Sequence, residues 1–530
     1  MEANDFDERT MAMLLPTQYV SQIASVAVLL VILHTMKRFM SKRRSRLPPS
    51  PPGLPIIGHL HLTKKSNHRA LRDLADKYGP IMTVRLGAVR AVIVSSSAMA
   101  KVILKTQDHV FGSRAQCTAL GILFGYQNSD VVMGAMGERW RFLRKICAQE
   151  LFSPKRVELS TETRRREMLS TVEHLFEAGR DGDAVQLDIN LREMGCNIIT
   201  QELFARSFYN QRNTNAKASL EAEDFSQMSR DFSELGGMVL YECIPFLRRF
   251  DLDGSQARMR SLFFRYDRFL NNIIEEHRQE DASQSTTAKD FVDVLLQLQK
   301  DNNRLLTDDC IKGVLMDMLI AGVDTSMSTV VWALTELMRH PETYRKAQQE
   351  LDLIVGRDRL VQESDFVHLK YLQAVLKETF RLHPVVPLMI PHESLSATNV
   401  GGYDIPEKTR VIINVYALGR DPSVWKNPLD FDPERFVDSP MDVKGQDFDL
   451  IPFGSGRRIC AGINLALVVV SMTAAQLLHS CEFSLPAGMK PLDIDVEEVV
   501  GESAPKLNPL QLLVRPRLPL HVYREAGLDL

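Results

Sequence analysis

The chain has 530 residues, 45% of them apolar and 25% charged, with 64 Lys and Arg against 67 Asp and Glu for a net charge of -3. This is the balance of a folded globular protein; it excludes a disordered chain, a collagen-like repeat and a multi-span membrane protein, and it offers no basic excess for nucleic acid. The seven cysteines are odd in number and scattered, which argues against a disulfide framework or a CxxC zinc ribbon and for folding in a reducing compartment.

No Asp, Glu, Lys or Arg stands between Thr10 and Met36, and the most apolar part begins at Tyr19. Residues 19–36 as a helix would span roughly 27 Å, about one hydrocarbon core. Lys37, Arg38, Lys42, Arg43, Arg44 and Arg46 follow at once, whereas Glu2, Asp5, Asp7 and Glu8 precede it with only Arg9 opposing them. A cleaved signal peptide has the reverse order of charge. The positive-inside rule therefore predicts a lumenal leader over 1–18, a single transmembrane anchor over 19–36 and a cytosolic remainder. A basic and Pro-rich linker is expected over 37–55, because Pro48, Pro49, Pro51, Pro52 and Pro55 forbid a helix and make a stiff spacer. One large domain is expected over 56–525.

Within that domain, residues 81–95 read as a hairpin, and helical patterns dominate from about 97 to 385. The longest predicted helix is capped by Thr307 with Asp308 and Asp309 in its first turn and runs to about Arg339, before Pro341. Its middle, Ala321-Gly322-Val323-Asp324-Thr325-Ser326, holds poor helix formers. Two readings stand open: a functional break in the hydrogen-bond ladder, or a core helix with a satisfied polar pair. Strands are expected over 401–415, irregular chain over 416–455, a helix after Cys460 and short strands at the end. The fold class is mainly α with a small β region.

Residues 453–462 carry the chemistry: Phe453-Gly454-Ser455-Gly456-Arg457-Arg458-Ile459-Cys460-Ala461-Gly462. Glycines permit close backbone approach to a flat ligand. Arg458 offers a cation, and the following helix N-terminus favours a thiolate at Cys460. The GxGxxG dinucleotide pattern fails at Ile459. Phe453-x-x-Gly456-x-Arg458-x-Cys460-x-Gly462 resembles the haem-binding signature of the cytochrome P-450 monooxygenases, whose haem iron is held by a cysteine thiolate. Glu378-Thr379-Phe380-Arg381 resembles the family's ExxR motif, Pro433-Glu434-Arg435-Phe436 its PERF motif, Ala321 to Ser326 its oxygen-activation motif, and Trp140 with Arg144 its WxxxR pair. The Pro-rich hinge, Lys377 to Pro384 and Gly419 to Trp425 are similar to plant endoplasmic-reticulum members, nearest the flavonoid and phenylpropanoid hydroxylases.

The resemblance implies the cytochrome P-450 fold and haem b, with Cys460 as axial ligand to the iron. It implies that Trp140, Arg144, His392 and Arg458 hold the propionates and that Phe453 belongs to the cofactor loop. Asp324 and Thr325 would be the acid–alcohol pair that relays protons during oxygen activation, and Glu378, Arg381 and Arg435 a buried structural network. The family's pattern places Phe124, Leu319, Ala321, Val385, Val386, Met389 and Leu507 in the substrate pocket. No P-loop and no GxGxxG stands in the chain, so an NADPH-dependent flavoprotein reductase is the expected electron donor. Arg139, Arg141, Arg144 and Lys145 form a basic cluster suited to steering it. The expected activity is hydroxylation by O2 of a small hydrophobic plant metabolite at the endoplasmic-reticulum membrane, foremost the aromatic ring of a flavonoid or phenylpropanoid. Desaturation of a flavanone and hydroxylation of a terpenoid or fatty acid are the alternatives.

Overall fold

A computed structural model describes residues 46–528 except 63–66, 117, 127–128, 210–223, 226, 229–230, 233–234, 236–242, 245–248, 283–289, 302–303 and 500. The expected leader, the anchor and the linker up to residue 45 lie outside the described residues. The rest of the linker is not a free spacer. Thr83 N donates to Pro49 O (2.7 Å) and Asp404 N to Arg46 O (2.8 Å), so the described part of the linker already packs on the domain expected over 56–525. Prolines in extended conformation leave their carbonyls unpaired, and the edge of the first strand accepts the offer.

The strands are β1 (Ile81–Leu86), β2 (Val89–Val94), β3 (Ser113–Arg114), β4 (Val185–Gln186), β5 (His392–Glu393), β6 (Thr398–Val400), β7 (Tyr403–Ile405), β8 (Arg410–Ile413), β9 (Cys481–Ser484) and β10 (Gln511–Pro516). They form a five-stranded sheet in the order β1-β2-β8-β5-β3, a three-stranded sheet β4-β10-β9 and the β6-β7 pair. The expected hairpin is present, with Ile81 opposite Val94 and Leu86 opposite Val89. The two-residue strands β3, β4 and β5 carry no alternation of their own; partners far along the chain define them. One such pairing sets Arg114 opposite His392.

The helices that position the site are α1 (Glu138–Ile146), α2 (Leu187–Phe204), α3 (Asp308–Arg339), α4 (Lys370–Leu382) and α5 (Ile463–Ser480). Thr307 caps α3 by accepting from Cys310 N, as its sequence requires. Helix α3 is unbroken over 32 residues. Thr325 Oγ1 donates to Ala321 O (2.7 Å) and Thr329 Oγ1 to Thr325 O (2.9 Å), each to the carbonyl one turn back, so the polar residues in its middle are satisfied without opening the ladder. Glycine serves packing here. A Cβ on Gly322 would lie 2.8 Å from Ile199 Cδ1 of α2, and one on Gly195 of α2 would lie 2.8 Å from Met327 Cγ. Small residues on both helices let α2 and α3 cross closely. Helices α3 and α5 are long and apolar enough to cross a membrane, but their most apolar stretches are 67% and 72% buried, which makes them the core.

Candidate active site

Cys460 stands three residues before α5, on a loop whose path depends on its glycines. Gly454 and Gly456 have φ of +74° and +69°. A Cβ on Gly456 would lie 1.9 Å from Leu104 O, so no other residue fits. Cys460 N donates to Phe453 O (2.9 Å), Arg144 Nη2 to Ile459 O (2.6 Å) and Ser455 Oγ to Gly445 O (2.6 Å). Burial pushes the Cys460 thiol up from its ordinary value, while the Gly462 N–H and Arg144 pull the other way.

The sulfur faces a cavity with a cationic edge. Arg114, Trp140, Arg144, His392 and Arg458 line it together with Phe453 and Cys460. Arg458 lies over the Trp140 ring at 4.0 Å from the centroid and donates to Gly112 O (2.7 Å), Val131 O (3.2 Å) and Gly134 O (2.5 Å). Burial and the neighbouring Arg114 push Arg458 down to about 9; burial and Arg144 push Arg114 to about 10. His392 Nδ1 donates to Phe111 O (2.7 Å), and burial with Arg114 lowers the ring to about 3, so it is neutral.

Across from Cys460, α3 presents Met318, Ala321, Gly322 and Thr325 to the cavity, the i, i+3, i+4 and i+7 positions of one face. Asp324 is turned off that face, 3.3 Å from Arg192 Nε of α2, and is not part of the cavity wall. Val131, Val132, Val385, Val386, Met389 and Ile390 complete an apolar wall. Behind it, the carboxylate of Glu378 accepts from Arg381 Nε and Nη2 (2.7 Å each), Arg435 Nε (3.1 Å) and Asp432 N (2.8 Å). Glu378 and Arg381 are both fully buried. The ring of Phe380, between them on α4, meets Phe453 of the cysteine loop edge-on at 5.3 Å.

Two buried guanidiniums, Arg114 and Arg458, and the half-buried Arg144 crowd one edge, and the half-buried thiol of Cys460 faces the middle. A flat ligand with acid groups at one edge and a thiol-seeking metal at its centre satisfies both features, and an iron porphyrin is such a ligand. Fold and site together therefore define a cysteine-ligated haem protein with an apolar cavity. The cytochrome P450 family model matches residues 48–510. Cytochrome P450 71AP13 of Prunus mume is 37% identical over 97% of this chain and 99% of its own length. The flavonoid 3'-monooxygenase of Arabidopsis thaliana is 38% identical over 94% of this chain and 98% of its own. A zebrafish cytochrome P450 solved with progesterone shares the fold with a TM-score of 0.72 at 24% identity, covering 85% of this chain and 99% of that one. The chain belongs to the cytochrome P450 family: it is a haem-dependent monooxygenase that uses O2, a redox partner and a small organic substrate.

Most residues singled out from sequence meet at this cavity: Trp140, Arg144, Ala321, Thr325, Val385, Val386, Met389, His392, Phe453, Arg458 and Cys460. Three expected pocket residues do not line it. Phe124 packs edge-on against Phe232 at 5.8 Å. Leu319 sits off the cavity face of α3 and is buried in the core. Leu507 is 48% exposed, on chain that has already left the wall at Ala504, whose N donates to Val385 O (2.8 Å). Arg144 leaves the expected basic docking cluster, since it turns to the cavity while Arg139, Arg141 and Lys145 stay exposed on α1. Sequence reasoning missed Arg114 and Asp317. Neither carries a local motif, and only the β3–β5 pairing and the α3 packing bring them to the site.

Proposed function

We propose that this protein hydroxylates the aromatic ring of a flavonoid or phenylpropanoid. The observation that carries the reading is the apolar wall of Val131, Val132, Ala321, Val385, Val386, Met389 and Ile390 opposite Cys460, with the guanidiniums confined to one edge. Such a wall suits a neutral planar ring and offers no cation to a long-chain acid. The 38% identical flavonoid 3'-monooxygenase supports the same substrate class.

In this reading Cys460 Sγ ligates the haem iron, and Arg458, Arg144, Arg114, Trp140 and His392 hold the propionates. Bound haem would supply oxygen activation, to which the Cys460 thiolate would lend electron density. Thr325 Oγ1, whose hydrogen goes to Ala321 O, keeps lone pairs that accept a hydrogen bond from a cavity water and so position that water as the proton donor. Asp324, on the outer side of α3 and charge-balanced by Arg192, delivers protons from solvent to that water. His392 has its one ring proton committed to Phe111 O, so a carboxylate at Nε2 calls for a second, and the acid's charge raises the ring's affinity for it. Electrons come from an NADPH-dependent flavoprotein reductase steered by exposed Arg139, Arg141 and Lys145. The anchor over 19–36 holds the domain on the cytosolic face of the endoplasmic reticulum, and carbonate-washed membranes should retain the intact protein.

The test is turnover in microsomes with reductase and NADPH, offered a flavanone, hydroxycinnamoyl esters, a terpene alcohol and lauric acid. Ring hydroxylation of a flavanone or hydroxycinnamoyl ester is expected. Turnover of lauric acid alone overturns the aromatic reading.

A further inference from the structure

A pair of buried acids fastens the chain segment that forms one side of the cavity. Asp317 lies on α3 one turn before Ala321 and is wholly buried. Its Oδ2 accepts from Val131 N (2.7 Å) and Val132 N (3.0 Å). Asp130, 1% exposed, accepts at Oδ1 from Met133 N (2.5 Å) and Gly134 N (3.0 Å). The second oxygen of each acid, Asp130 Oδ2 and Asp317 Oδ1, is buried with no hydrogen-bond partner. Asp130 packs against α3 at Gly313, where an added Cβ would lie 3.4 Å from Asp130 Cβ. That is one helical turn from Asp317, at the same contact between segment and helix.

The segment held this way does several jobs at once. Val131 O accepts from both Arg458 Nη1 and Trp140 Nε1, and Gly134 O from Arg458 Nη2. Val131 and Val132 line the cavity. A shift of residues 130–134 would move the cationic edge and the apolar wall together.

Two ionised carboxylates are not stable side by side in a buried site. The charged and titratable groups around them do not supply a full counter-charge. From the cysteine loop comes Arg458, whose donors are committed to three backbone carbonyls. From β3 comes Arg114, committed to Val132 O and Ile390 O. From α1 come Arg144, on Ile459 O, and Arg139, on Ser129 Oγ (3.4 Å), and just after α1 stands the buried thiol of Cys147. Burial is the leading influence on both carboxyls and raises both. Asp130 pushes Asp317 higher still, and the backbone N–H groups and Arg458 oppose it only in part.

We propose that Asp130 and Asp317 share one proton, and that this carboxyl pair is a positioning device that seats Val131 and Val132 on the cavity wall and fixes the carbonyls that hold Arg458 and Trp140. The folded state binds the proton more tightly than the unfolded chain does. The pair's stabilisation is therefore complete below the ordinary carboxylate range and is lost as pH rises through the pair's raised value. Between the ordinary carboxylate range and that raised value, each pH unit costs a factor of ten in the folding equilibrium for one proton released, and above it the dependence ends.

The experiment uses the full haem-loaded chain and two variants. Asp317→Asn keeps an acceptor for Val131 N and Val132 N and adds a permanent donor toward Asp130; Asp130→Asn does the converse. Infrared difference spectra of the wild type should show a protonated-carboxyl C=O band at neutral pH that each variant removes. In denaturation from the ordinary carboxylate range up to the pair's raised value, the wild type should lose folding equilibrium tenfold more per pH unit than Asp317→Asn does. A merely structural pair would show neither the band nor a difference in slope, and either result overturns the proposal. If Asp317→Asn does not fold, Asp130→Asn carries the same two readouts, and a wild-type spectrum whose carboxyl band survives in Asp130→Asn refutes the shared proton.

Discussion

Replacing Arg381 with methionine tests whether the network behind the cysteine loop is what holds that loop. The guanidinium is fully buried, chelates Glu378 through two 2.7 Å bonds, and donates to Gly419 O (2.5 Å), Pro428 O (2.7 Å) and Asp430 O (2.8 Å). Methionine keeps much of the length and none of the donors. Glu378 is then left with Arg435 Nε and Asp432 N, and three carbonyls lose their partner. Removing one partner of a buried pair costs about 3–5 kcal/mol. Orphaned carbonyls at about 1–3 kcal/mol each would carry the sum higher if they stayed dry, so water entering the space left behind holds the loss near the first figure. In a domain of this size roughly 1 kcal/mol corresponds to roughly 1 °C of melting midpoint. Because Phe380 of the same helix packs on Phe453, the haem should loosen along with the fold. Thermal melts followed by far-ultraviolet circular dichroism and by the Soret band, with haem content after gel filtration, measure both effects. Arg435→Met, which takes one 3.1 Å bond from Glu378 and leaves the exposed carbonyls of Lys426 and Asn427 to water, should cost less. An Arg381→Met protein with wild-type midpoint and full haem would refute the reasoning.

Cys460→Ser should abolish thiolate ligation, because serine is too weak an acid to ligate as an anion at neutral pH; a thiolate-type Soret band in the reduced, CO-bound variant would sink the assignment. Thr325→Ala should keep haem and the substrate-induced spectral shift but raise peroxide released per NADPH consumed, and unchanged coupling would speak against the relay. His277 donates through Nδ1 to Ile273 O (2.7 Å) and pairs through Nε2 with Asp290 (2.8 Å), tying the helix Ser255–Ala282 to the helix Phe291–Lys300. Burial opposes its charge, but Asp290 and the Ile273 carbonyl outweigh burial and raise it to about 9. Its stabilisation is then full below pH 6.5, the ordinary histidine value, and is lost as pH rises through about 9. His277→Gln should flatten that part of the pH–stability curve while leaving the carboxyl infrared band in place, and an unaltered curve would show that the pair carries no charge.

The glycine-and-cysteine loop, the ExxR and PERF segments and the cap at Thr307 were legible because their chemistry is local. A loop that needs positive φ needs glycine, and an i, i+3 acid–base pair shares a helix face whatever surrounds it. The hairpin at 81–94 and the long helix were legible for the same reason, since period and capping are properties of short windows. The middle of α3 was ambiguous because weak helix formers in a window look alike whether the helix breaks there or its threonines bond back one turn.

What the sequence by itself determined is the set of groups that do chemistry: the thiol, the guanidiniums, the hydroxyl on α3, and the family to which their order belongs. Only the tertiary structure decided which of them meet. Arg114 reaches the cationic edge because a two-residue strand pairs with His392, more than 270 positions away. Asp324 and Thr325 are neighbours in the chain, yet helical rotation of about 100° per residue sends one to Arg192 and the other to the cavity. Leu507 and Phe124 are as apolar as Val385 and Met389, and apolarity alone cannot say which core or which cavity a side chain will face. Asp130 and Asp317 are ordinary acids in sequence; burial together at one contact between the 130–134 segment and α3 is what makes them compete for a single proton.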